Sequence, residues 1–157
     1  MAAIKENIQP PPSGDGGKNI IITGASRGLG KAIAEIFAKN GHNLCLTSMN
    51  EGRLYKSMEE LMTKYPSATI KAIPFDLSKK DQAQAFGEWC LQNCVPDVLV
   101  NNAGSFAGAN VHDEEEGALE EMIATNLYSA YHLTRKLVPA MKQKKTAIFL
   151  ICLLLQA

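Results

Sequence analysis

The chain holds 157 residues, in which 16 lysines and arginines balance 16 aspartates and glutamates, with 46% apolar and 20% charged residues. That balance excludes a global field drawing the protein to nucleic acid or an anionic membrane, and the length suits one domain with its own core. Cys45, Cys90, Cys94 and Cys152 lack companion ligands at zinc-finger spacing, so no metal site is expected, and buried or inert thiols in a reducing, cytoplasmic setting are.

Residues 1–18 lack the apolar segment of a secretory signal and include Pro10-Pro11-Pro12-Ser13-Gly14. A flexible leader is expected there, followed by one domain over 19–157. From Asn19 onward strand and helix alternate. Residues 19–23 read as a strand and 29–40 as a helix with Ile33, Ile36 and Phe37 on one face, stopped at Gly41. A second strand covers 43–48, and a helix over 53–64 carries Leu54, Met58, Leu61 and Met62 ahead of Pro66. Strand 68–75 leads to a helix over 79–93 capped by Ser78, with Ala83, Phe86 and Cys90 at helical spacing and Trp89 packing beside Phe86. Strand 97–100 ends in Asn101-Asn102-Ala103-Gly104. A long helix is predicted over 115–142, the acids at 113–116 suiting its start and the bases at 142–145 its end. Strand 146–152 closes the ordered chain, and the apolar stretch 148–155 is too short to span a bilayer. Such alternation predicts an α/β fold: a doubly wound, Rossmann-like parallel sheet in three layers with strand order 3-2-1-4-5.

The most informative run is Asn19-Ile20-Ile21-Ile22-Thr23-Gly24-Ala25-Ser26-Arg27-Gly28-Leu29-Gly30. A short β-branched strand breaks into three glycines and opens directly into a helix. Glycines there permit a tight turn with bare backbone, and the first helical amides then point at a space suited to a diphosphate. A glycine-rich turn alone is a weak signal. Its placement between strand and helix at the first crossover is what gives it weight.

Thr23-Gly24-x-x-x-Gly28-x-Gly30, Asp76-Leu77 after the third strand, Asn101-Asn102-Ala103-Gly104 after the fourth and Asn126 in Thr125-Asn126-Leu127 together resemble the short-chain dehydrogenase/reductase family. The resemblance runs from Asn19 to about Cys152. It implies an oxidoreductase that passes hydride between a nicotinamide cofactor and a carbonyl or alcohol. Gly24, Gly28 and Gly30 would line the diphosphate, with Ser26, Arg27 and Leu29 supplying further contacts. Asp76 would meet the adenine edge beside the Leu77 amide, and Asn102, Ala103 and Gly104 would pass under the adenosine ribose. Asn126 would hold the active-site helix and a water in the proton relay. Taken singly, Asp76 could instead cap the next helix, and Asn126 could be a satisfied interior amide. Family members commonly assemble through the long helix and the one after the fifth strand, which leaves the oligomeric state open.

The choice between NAD and NADP falls at the end of the second strand. Ser48 stands where NAD-using relatives carry an acid, which removes repulsion of a 2′-phosphate, and Arg27 can reach that phosphate with forked donors. Met49 replaces a second arginine, and Glu51 is nearby. The balance favours NADP, with NAD as the alternative.

The family's serine would fall near Leu153, and no Tyr-x-x-x-Lys pair follows the fifth strand; Tyr128, Tyr131 and Lys136 on the earlier helix do not match it. The expectation is a cofactor-binding portion, C-terminally incomplete, without the catalytic Ser-Tyr-Lys set. Its alternative is a non-catalytic nucleotide-binding or partner-binding remnant produced by truncation or splicing.

Overall fold

The computed structural model describes residues 17–108, 110–145 and 148–151. The leader expected over 1–18 therefore falls outside the described residues except for Gly17 and Lys18, as do Cys152 and the position near Leu153.

Five parallel strands form one sheet in the order β3-β2-β1-β4-β5, as the alternation predicts. They are β1 (Asn19–Thr23), β2 (Asn43–Thr47), β3 (Ile70–Ala72), β4 (Val98–Asn101) and β5 (Ile148–Ile151). The helices between them are α1 (Gly28–Lys39), α2 (Glu51–Lys64) and α3 (Lys80–Asn93). Between β4 and β5 lie a 3-10 turn (Val111–Asp113), α4 (Ala118–Ile123), a π turn (Ala124–Tyr128) and α5 (Ser129–Gln143).

The strand interiors are continuously apolar because both sheet faces are covered. Alternate side chains divide between two cores. Ile20, Ile22, Leu44, Leu46 and Ile70 pack with Ala34 and Ala38 of α1 and Leu54, Met58 and Leu61 of α2. Ile21, Cys45 and Leu99 pack on the other face with Phe86 and Cys90 of α3 and Leu133, Leu137 and Met141 of α5. Trp89 stacks on Phe86 with 6.0 Å between ring centroids, as expected.

Several local expectations need correction. The buried stripe of α1 is Gly30, Ala34 and Ala38, while Ile36 is 60% exposed and Ile33 and Phe37 pack only partly. Small residues at a spacing of four let the helix lie close on the sheet, so bulkier neighbours are turned outward. α2 starts two residues before the expected position because Asn50 caps it, its Oδ1 accepting from the Arg53 amide at 2.9 Å. α3 starts at Lys80 with Lys79 at the cap position, and Ser78 serves Asp76 instead.

The long helix predicted over 115–142 begins later and is interrupted. Its acidic run lies in the 3-10 turn and a bend, separated from α4 by Gly117 at φ 93°, which is left-handed backbone. The acids that do occupy the first turn are Glu120 and Glu121. The π turn then widens the helix at Asn126.

Candidate functional site

The carboxyl ends of β1 and β4 lie side by side at the centre of the sheet, where the chain winds outward in opposite directions. In an open α/β sheet this switch point forms a crevice. Two loops line it: the glycine turn after β1 and the segment starting at Asn102 after β4.

The glycine turn is built as the sequence predicts, but its three glycines do different work. Gly24 (φ 66°) and Gly28 (φ 55°) occupy left-handed backbone. A Cβ on Gly24 would come within 2.9 Å of Asn102 Nδ2 and 3.1 Å of Ala103 Cα. One on Gly30 would collide with the Gly24 carbonyl and with Asn102 Nδ2. One on Gly28 would meet nothing within 4 Å. Gly24 and Gly30 thus permit loop-to-helix packing, whereas Gly28 faces open space.

Arg27 holds the cap position of α1 in extended backbone, its carbonyl accepting from Lys31 N at 3.3 Å, and no side chain caps the helix. The first turn contains no acid. Its amides therefore present partial positive charge to the crevice with no carboxylate of this helix turn competing.

The surrounding elements pin this turn. Ala25 N donates to Thr47 O at 3.1 Å, Ser57 Oγ of α2 to Ala25 O at 3.2 Å, and Ser48 Oγ to Ser26 Oγ at 2.9 Å. The last bond brings together two predicted site residues from separate loops. Met49 is exposed, and Glu51 is the first residue of α2, where the helix dipole favours an acid.

Thr23 is the residue that sequence reasoning missed. Its buried hydroxyl accepts from Asn102 N at 2.9 Å and Ala103 N at 2.8 Å and donates to Val100 O at 3.4 Å. Asn102 Nδ2 returns bonds to the carbonyls of Thr23 (3.0 Å) and Gly24 (3.3 Å). The Asn102 amide side chain is therefore spent on the glycine turn, leaving the backbone of Asn102, Ala103 and Gly104 to line the crevice.

Asp76 does not cap α3, whose cap position is Lys79 with no side-chain cap bond; it closes a local turn with Ser78 instead. Its Oδ1 accepts from Ser78 Oγ at 2.6 Å and Ser78 N at 3.1 Å, Lys79 Nζ lies 3.4 Å from Oδ2, and Gln82 Oε1 accepts from Asp76 N at 2.8 Å. Burial opposes ionisation, but the Ser78 bonds and the Lys79 charge outweigh it and hold the carboxyl below its ordinary range. Leu77 turns its side chain into the second core.

Asn126 sits in the π turn and grips the main chain of Ser105, with Oδ1 accepting from Ser105 N at 2.7 Å and Nδ2 donating to Ser105 O at 2.9 Å. It thereby fixes the segment just past Gly104. Lys136 pairs with Glu88 at 2.8 Å, and Tyr131 is exposed, so neither forms an acid–base pair with the other.

The family model described as short chain dehydrogenase matches residues 18–152. A ketoacyl reductase, HetN, of Nostoc sp. is 33% identical over 129 residues, covering 82% of this chain and 44% of that protein. An alcohol dehydrogenase from the archaeon Thermococcus sibiricus, solved with 5-hydroxy-NADP, superimposes with a TM-score of 0.77 at 30% identity, over 84% of this chain and 57% of that one. A short-chain dehydrogenase/reductase from Burkholderia phymatum, solved with NAD, gives a TM-score of 0.77 at 28% identity, over 85% and 48% respectively. The chain spans about half the length of these proteins.

Proposed function

Because the chain belongs to the short-chain dehydrogenase family, we propose that it binds a nicotinamide dinucleotide in the crevice between the glycine turn and the segment after β4. The observation that carries this reading is the uncapped start of α1 behind Gly28, whose missing side chain leaves the approach to those amides open. The amides of Gly28, Leu29 and Gly30 hold the diphosphate, Asp76 and the Leu77 amide face the adenine, and the backbone of Asn102, Ala103 and Gly104 supports the ribose side. When bound, the nicotinamide ring supplies or accepts hydride for a carbonyl or alcohol of the whole protein's substrate.

NADP is the favoured form. Ser48, joined to Ser26, places a neutral hydroxyl pair where a carboxylate would repel a 2′-phosphate, and the exposed Arg27 adds positive charge beside it. Cofactor binding is the role proposed for these residues, and hydride transfer is the activity proposed for the whole protein.

Isothermal titration with NADPH and NADH tests both parts. The expected result is tighter binding of NADPH, with Arg27→Ala weakening NADPH by about tenfold or more and NADH far less. Folded protein that binds neither dinucleotide overturns the site, and tighter NADH overturns the choice of cofactor.

A further inference from the structure

Away from the crevice, β2 and the end of α3 bring together two thiols that the proposed activity does not use. Cys45 sits in the middle of β2, held by β1 on one side and β3 on the other, and is only 3% exposed. Cys94 is the cap residue at the end of α3, in extended backbone, and is half-buried. Its amide still bonds the Cys90 carbonyl at 2.7 Å, which fixes where its side chain leaves the helix. The two Sγ atoms stand 2.8 Å apart, although 49 positions separate the residues in sequence. About 0.8 Å of further approach separates this contact from a covalent bond of roughly 2.05 Å.

The two thiols are unequal. The hydrogen bond with Cys45 holds the Cys94 thiol down, with burial opposing and the charges of Lys71 and Lys144 assisting against Asp97. The same contact, together with burial, pushes Cys45 up. Cys90, one helical turn before Cys94, is pushed up by burial in the second core. Cys94, the thiol closer to solvent, is thus the one an oxidant reaches first, with Cys45 behind it in the core.

We propose that Cys45 and Cys94 are a reversible disulfide site, in which Cys94 reacts with a hydroperoxide and Cys45 resolves the product. The Cys94 thiolate attacks one peroxide oxygen, the O–O bond breaks, and hydroxide leaves, giving a sulfenic acid at Cys94. The Cys45 sulfur then attacks the Cys94 sulfur, the S–O bond breaks, and water departs with the Cys45 proton. Two electrons pass from the sulfurs to the peroxide oxygens, so two thiols and one hydrogen peroxide become one disulfide and two waters. A dithiol reductant reverses the bond by exchange.

The test is a peptide map of the full reduced chain, treated with hydrogen peroxide, alkylated and digested without reductant. The expected product is a chain lighter by two hydrogens that yields a linked Cys45–Cys94 peptide, with Cys90 still alkylated and the link lost in dithiothreitol. Oxidation should raise Tm by about 4 °C or more, because the bond closes a long loop in the unfolded chain. Cys90→Ala should leave the link intact. In Cys45→Ser, the Cys94 sulfenic acid should persist long enough for capture by dimedone. A link from Cys94 to Cys90 or Cys152, over-oxidation of Cys94 with Cys45 still free, or no loss of thiols overturns the assignment. If Cys45→Ser fails to fold, the wild-type map alone decides.

Discussion

Gly28 and Gly30 sit two residues apart yet answer to different constraints. Alanine at 30 would be driven into the Gly24 carbonyl and Asn102, an overpacking cost of about 1–3 kcal/mol that thermal denaturation should read as a clear fall in Tm. Alanine at 28 meets no atom and carries only left-handed strain of about 1–2 kcal/mol, so its main expected effect is a loss of NADPH affinity measured by titration. Asp76 offers a test by pH. Its folded carboxyl lies below its ordinary range, so its stabilisation is complete above the unfolded value and vanishes as pH falls through the folded one. Asp76→Asn should therefore cost about 1 kcal/mol at neutral pH, and the gap from wild type should close in acid below the carboxylate range.

Elements were legible where the signal is periodic and hidden where it depends on distance or on small residues. β1 and β4 announced themselves by β-branched runs and β2 by Leu44-Cys45-Leu46, whereas β3 covers only Ile70–Ala72 of the 68–75 expected. The α2 and α3 stripes showed in Leu54, Met58 and Leu61 and in Ala83, Phe86 and Cys90. The α1 stripe did not, because Gly30 and Ala34 carry too little apolar surface to register beside Ile36. The π turn leaves no mark in hydrophobic spacing over five residues, so a continuous helix was the natural expectation. Its test is Asn126→Ala, which strips both bonds from Ser105 and should cost about 1–2 kcal/mol in denaturant unfolding. The glycine turn and its neighbours were readable because their chemistry is local. The Ser26–Ser48 bond and the Cys45–Cys94 contact join residues far apart in sequence, which no pattern within a window can show.

For the molecule as a whole, ligand linkage gives the simplest expectation. A dinucleotide that binds only the folded chain adds about 2.7 kcal/mol at a hundredfold excess over Kd, or about 5–10 °C in Tm for a domain of this size. Thermal scans with and without NADPH check it. Among the described residues no helix is long and apolar enough to cross a membrane. Side-chain contacts that tie the outer layers to the sheet include Lys71 Nζ of β3 donating to Asn93 Oδ1 of α3 at 3.0 Å, Thr134 Oγ1 of α5 accepting from Asn101 of β4, and Lys144 beside Asp97 at 2.7 Å, just before β4. The Asp97 carboxylate also accepts from Asn19 N at 2.7 Å, so the starts of β1 and β4 and the end of α5 share one charge.

The three bonds at the Thr23 hydroxyl carry a consequence for motion. Two segments from different crossovers are riveted at a single oxygen, so neither flank of the crevice has a hinge of its own, and a guest that stills one must quieten the other. If the proposed site takes nucleotide, amide hydrogen exchange at Asn102 and Ala103 should slow together with that of the glycine turn. Thr23→Ser should preserve that coupling, whereas Thr23→Val strands two donors, at about 2–4 kcal/mol, and uncouples the lips.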